Sequence, residues 1–112
     1  MNTIVKVIEP SGILDGIRGN LLRREVSNLL DSGTEILLID LKEVNFIDSS
    51  GLGSLVSAMQ MVRSANAKLF VCSISDQVKM LFELTKMDRI FQIFVDQDDF
   101  QRQIINSLES IQ

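Results

Sequence analysis

The apolar and polar positions of the chain switch between two periods, one belonging to strands and one to helices. Thr3 to Ile8, TIVKVI, is dense in β-branched residues and is stopped by Glu9-Pro10-Ser11-Gly12, where proline removes a backbone donor and fixes φ; a short strand is predicted. From Ile17 to Asp31, Leu22, Val26, Leu29 and Leu30 recur at helical spacing opposite Arg23, Arg24, Ser27 and Asp31, and Gly33 follows as a stop, so an amphipathic helix is predicted. Glu35 to Leu41, EILLIDL, is a continuous apolar run ending in the carboxylate of Asp40, the pattern of a strand covered on both faces. Leu52, Leu55, Val56, Met59 and Val62 mark a second helical face before Asn66 interrupts. A strand over Lys68 to Ile74 follows, and Ser75 is placed to cap a helix that buries Val78, Leu81 and Phe82. Ile90 to Val95 predicts a last strand. Asp98 then precedes a closing helix with Phe100, Ile104, Ile105, Leu108 and Ile111 on its apolar side, and Gln101 stands three residues after Asp98 as in a capping box.

Strand and helix alternate through short connections, which predicts an α/β domain with a mostly parallel sheet of roughly four or five strands and about four interspersed helices. A chain of 112 residues has the length of one domain, so residues 1–112 are expected to form a single unit around one core. The longest apolar runs, such as Ile36 to Ile39, are too short for a bilayer, and no basic stretch followed by an apolar one opens the chain. A cytoplasmic protein with no membrane partner is expected.

Charge and composition narrow the chemistry. The formal charge is −4 and no block of Lys or Arg offers the footprint that phosphate backbones need, so nucleic acid is not an expected partner. Histidine is absent, which removes the commonest general base and transition-metal ligand, and the single Cys72, in KLFVCSI, can build neither an internal disulfide nor a zinc site. It reads as a small buried hydrophobe. No metal or cofactor is expected, and no enzymatic activity.

The stretch NFIDSSGLGSL, Asn45 to Leu55, carries the most chemistry. It lies between a strand's carboxyl end and a helix start, where unpaired N–H groups point outward and sites are commonly built. Asp48 or Ser49 can cap the helix, Gly51 lets backbone or another chain come close, and the helix dipole favours negative charge at this end, so a phosphoryl group on a serine is tolerated by the fold. The 3.6-residue period places Gly53, Ser54, Ser57, Gln60 and Met61 on the face opposite the core, where small side chains admit a partner's backbone and Met61 offers an adaptable apolar contact; a solvated face is the plain alternative. GLGSLV has two glycines of a dinucleotide fingerprint but Val56 in place of the third, and no Walker lysine exists. A phosphoaspartate receiver at Asp40 lacks the acidic pair after the first strand and the lysine after a late one.

DLKEVNFIDSSGLGSLV, Asp40 to Val56, closely resembles the signature of STAS domains, and specifically of bacterial anti-sigma factor antagonists. GILD at Gly12 to Asp15 and LTKMDRIFQIFVD at Leu84 to Asp96 resemble the family as well. The family commonly opens with a strand pair before its Gly-x-Leu-Asp element, whereas a single short strand precedes PSGILD, which implies a reduced amino-terminal sheet edge. In the family the first serine after the loop Asp is phosphorylated, and that position is Ser49. Ser50 is its neighbour, and Asp15 resembles the family acid that lies beside the loop and contacts the partner; together with the loop and the helix face given by the period, the expected partner surface is Asp15, Asp48, Ser49, Ser50, Gly51, Leu52, Gly53, Ser54, Ser57 and Met61. The resemblance implies an anti-sigma factor with serine kinase activity as the partner bound when Ser49 is unphosphorylated, release on phosphorylation, and a metal-dependent serine phosphatase that resets the switch. A constitutive scaffolding or ligand-sensing STAS domain, and a small phosphotransfer domain, are the alternatives.

Overall fold

The computed structural model describes residues 3–111, with side chains through residue 108. Strand β1 (Val5–Ile8) is followed by β2 (Ser11–Leu14), helix α1 (Gly16–Asp31), β3 (Ile36–Asp40), β4 (Glu43–Ile47), helix α2 (Ser49–Ser64), β5 (Lys68–Cys72) and helix α3 (Asp76–Leu84). A 3-10 turn (Met87–Arg89), β6 (Ile93–Phe94) and a last helical stretch complete the order; that stretch runs as α4 (Gln97–Phe100), a π-helical turn (Gln101–Ile105) and α5 (Asn106–Ile111). All strand pairs are parallel: one sheet has the order β1-β3-β5-β6, and β2 pairs with β4 in a separate two-stranded sheet.

The apolar runs build the centre as their composition requires. Every residue of β3 is buried, because α1 to α3 cover one face of the main sheet and the closing helix covers the other. On the first side Leu37, Ile39, Leu55, Val62, Val71 and Phe82 pack together; on the second, Phe70, Phe94 and Phe100 meet with ring centroids 5.5 to 5.7 Å apart. Aromatic pairs at this spacing contribute beyond their buried area. The core residues expected on α2 and α3 are where the spacing placed them, though Leu52, Val56 and Leu81 are half-buried. Ile111 of the closing helix has its side chain outside the described residues, as do residues 1, 2 and 112 altogether.

Three local readings are corrected. β2 and β4 are additions to the elements the sequence predicts, since Ser11–Leu14 and Glu43–Ile47 mix polar with apolar residues and lack the continuous apolar run of β3 and β5; long-range parallel pairing with each other makes them strands. The last strand shortens from Ile90–Val95 to Ile93–Phe94, because Ile90 and Phe91 close the turn after Arg89 by donating to the carbonyl of Met87. The closing helix is capped by Asp96, not Asp98: Asp96 Oδ1 accepts from the N–H of Asp99 at 2.8 Å, and Asp99 Oδ2 accepts from the N–H of Val95 at 2.9 Å. That second bond holds the Asp99 carboxyl below its ordinary range. Among the described residues no helix is long and apolar enough to cross a membrane.

Candidate functional site

β2 and β4 lie side by side and run in the same direction, so the helices that follow them start at the same end of the molecule. Asp15 caps α1, its Oδ1 accepting from the N–H of Arg18 at 2.9 Å, and Asp48 caps α2, its Oδ1 accepting from the N–H of Gly51 at 2.8 Å. The N–H of Asp48 donates to the carbonyl of Leu14 at 3.2 Å and ties the two starts together. Glycine makes this closeness possible: a Cβ on Gly51 would collide with the Leu14 carbonyl, and one on Gly19 with the side chain of Ser54, while Gly16 faces Ser50 across ordinary contact distance.

The result is a paired helix start with two exposed serines, Ser49 and Ser50, at its centre. Between Asp48 and Ser49 as cap, the structure selects Asp48. The Ser49 hydroxyl is engaged by no other described residue, so it stands open at the first helical position, where the dipole is positive. A cleft of about 480 Å³ beside it is lined by Asp15, Gly16, Ile17, Asn20, Arg23, Ser50, Gly53 and Ser54.

The structure therefore brings Asp15, Asp48, Ser49, Ser50 and Gly53 together. It turns others inward. Gly51 is buried at the Leu14 carbonyl, Leu52 is half-buried on the core, and Ser54, expected on the exposed face, is 6% exposed with its hydroxyl donating to the carbonyl of Ser50 at 3.1 Å. The reason is that α1 packs along the side of α2 that a single amphipathic stripe leaves free. Ser57 and Met61 are half-buried in a shallow cleft shared with Ser27, Leu30 and Asp31 of α1, and Met61 touches the core. Ile17, 75% exposed beside the serines, is a site residue that the sequence reading omits; its signal is an apolar residue two positions after the Asp15 cap and off the stripe of Leu22 and Val26.

Asp40 has a different task. It is 1% exposed, its Oδ1 accepts from the N–H of Lys42 at 3.0 Å, and its Oδ2 accepts from the amide of Gln97 at 2.7 Å. The same Gln97 nitrogen donates to Glu9 Oε1 at 2.8 Å, with Lys42 Nζ 3.7 Å from that oxygen. Both carboxylate oxygens of Asp40 are thus occupied, and the strand end is a latch for α4. Cys72 beside it is buried, and burial raises its thiol to about 11. Among the described residues no cluster of acids and Cys72 is placed to hold a metal ion.

A parallel sheet flanked by helices, with an Asp-Ser-Ser-Gly loop opening one helix beside the capped start of another, defines a class of small α/β domain with an exposed serine at a helix start. The family of STAS domains matches residues 2–100, and the chain belongs to it. Its relatives carry the name anti-sigma factor antagonist at modest identity: the anti-sigma-B factor antagonist of Listeria monocytogenes is 40% identical over 58 residues, covering 52% of this chain and 51% of the relative. The match thus spans about half the length of that relative. The Bacillus protein SpoIIAA, an anti-sigma factor antagonist solved in its unphosphorylated form, superposes with a TM-score of 0.74 at 18% identity, over 90% of this chain and 89% of the other. The STAS domain of a SulP transporter from Vibrio cholerae gives 0.79 at 15% identity, over 98% and 88%. At these identities the superpositions establish the fold.

Proposed function

We propose that the chain is a phosphorylation-controlled binding module, an anti-sigma factor antagonist in which Ser49 is the phosphoacceptor and the paired starts of α1 and α2 are the docking surface. The observation that carries this reading is that Asp48 does the capping and leaves the Ser49 hydroxyl exposed and unengaged at a helix start. A phosphoserine adds a charge of about −1.5 to −2 at neutral pH. At the helix start that charge is tolerated by the domain, but in an interface beside Asp15 and Asp48 it brings repulsion and a group that resists desolvation. Fold and binding respond in opposite ways, and a switch needs no large movement.

In this reading the unphosphorylated chain binds an anti-sigma factor that is also a serine kinase, phosphorylation of Ser49 releases it, and a metal-dependent phosphatase restores binding. That SpoIIAA has been solved in both phosphorylated and unphosphorylated forms supports the assignment by analogy of fold. The occupied oxygens of Asp40 speak against phosphotransfer through that acid.

The test is intact-mass analysis of protein isolated from its own cells, with the modified peptide mapped and Ser49→Ala as control. One phosphate on Ser49, together with kinase binding kept by Ser49→Ala and lost by Ser49→Asp, is the expected result. Absence of phosphate under every growth condition refutes the switch and leaves a constitutive STAS scaffold or ligand-sensing domain.

A further inference from the structure

Between β4 and α3 lies an apolar groove of about 330 Å³, walled by Phe46 and Ile47 of β4 and by Val78, Met80, Leu81 and Leu84 of α3, with the amides of Asn45 and Gln77 among its lining. Three of these apolar side chains are largely in solvent: Phe46 is 55% exposed, Met80 62% and Leu84 77%. Ile13, 51% exposed, stands opposite Phe46 in the β2–β4 register and extends the patch. Large contiguous apolar exposure on a small domain marks a binding surface.

The wall itself indicates what the surface takes. β4 has one strand neighbour, β2, so its other edge carries no ladder, and alternate residues of a strand aim their N–H and C=O groups at such an edge. β1 also has an open edge, but Lys6 within it and Pro10 beyond it are the residues that blunt strand addition; Glu43–Ile47 contains neither type. An open strand edge with a helix across a groove suits an extended peptide, with backbone pairing for affinity and apolar side chains for fit. The groove lining itself carries no charge, but the elements on either side of it carry Glu43, Asp76, Lys79 and Glu83, three acids to one base, so basic flanks of a segment that runs past the groove complement them.

We propose that the groove between β4 and α3 receives an extended segment of a partner protein, apolar at alternate positions and carrying Lys or Arg at its ends, by strand addition to β4. The site is separate from the Ser49 hydroxyl and does not require its modification. It does adjoin that surface, since Ile47 leads directly into Asp48 and Ser49.

The test uses the full chain labelled for NMR and a capped synthetic peptide with lysine at both ends and alternating valine and threonine between, beside the same peptide N-methylated on alternate residues. Expected are saturable shifts at the amides of Asn45 and Ile47 and at the methyl groups of Met80 and Leu84, loss of binding for the N-methylated peptide, and weakening by at least about tenfold in Phe46→Glu and in Leu84→Glu. Both positions are exposed, so the variants keep the fold, and circular dichroism checks it. Ser49→Ala binds the peptide as the parent does, which separates this site from the phosphorylation reading. Shifts mapped to β1, equal binding of the N-methylated peptide as for any small apolar ligand, no shifts at millimolar peptide, or concentration-dependent shifts without peptide as for a second copy of the chain, each overturn the proposal.

Discussion

Gly51 and Gly53 stand two residues apart in the first turns of α2, and the structure assigns opposite signs to the same substitution. A Cβ on Gly51 would meet the carbonyl of Leu14, with the carbonyl carbon at 2.6 Å and Ile47 Cγ2 at 3.3 Å, whereas one on Gly53 has nothing within 4 Å. The Leu14 oxygen cannot swing aside cheaply, since it accepts from the N–H of Asp48 and ends β2. Overpacking costs about 1–3 kcal/mol, and losing that hydrogen bond adds about 1 kcal/mol. The better helix propensity of alanine offsets roughly 0.5–1 kcal/mol of this. Gly51→Ala should therefore lose about 2 kcal/mol net, while Gly53→Ala, which has only the propensity term, should gain up to about 1 kcal/mol. In urea unfolding followed by circular dichroism, these correspond to a midpoint about 1 M lower for the first and up to about 0.5 M higher for the second. Equal shifts in the two variants, or a Gly51→Ala midpoint within about 0.3 M of the parent, refute the close approach of α2 to β2. Gly53→Ala then serves a second purpose. If a partner's backbone rests on Gly53, the stabilised variant binds that partner more weakly, a separation that a merely solvated face does not produce.

Other consequences are simpler to read. Asp96→Ala should cost about 1 kcal/mol in the same unfolding assay and Asp98→Ala less than about 0.5 kcal/mol, because Asp96 supplies the cap; the reverse order would restore Asp98 as the cap. Gln97→Ala removes the donor to buried Asp40 Oδ2 and should cost about 1–3 kcal/mol, with Asp40→Asn in the same background testing whether the loss comes from that oxygen. Cys72 should resist a thiol reagent at pH 8 in the folded protein and react on unfolding. Its folded value of about 11 lies above the ordinary 9.0, so the stability tied to its protonated form is whole below pH 9 and lost as pH rises through 11; Cys72→Ala should flatten stability against pH over that window.

What the sequence made legible follows the reach of each signal. β3 and β5 read directly, because a strand covered on both faces must be apolar at every position and ILLID and KLFVC nearly are. β2 and β4 were hidden, since SGIL and EVNFI are mixed and become strands only by pairing across about thirty residues of chain, an interaction no local window contains. The capping-box spacing points to Asp98, but Asp96 and Asp99 are acids of the same type within two residues of it, and the choice rests on where Val95 leaves β6.

Ser54 shows a different kind of miss, and it bears on function. A helical wheel assumes one buried side, yet α2 is covered on two, by the sheet and by α1 through Gly19. Ser54 is thereby lost to solvent, and Ser57 and Met61 lie in a shallow cleft walled by α1. In the proposed docking reading the partner therefore meets the ends of the two helices more than the length of one. Ile17, Ser49, Ser50 and Gly53 form that end, with the Asp15 and Asp48 caps behind them. A phosphate on Ser49 would then sit inside the contact and not at its rim, where a charge is screened by water and changes affinity little. In that reading, the burial that takes Ser54 out of the interface would concentrate the contact around Ser49, so that a single modification there would break it.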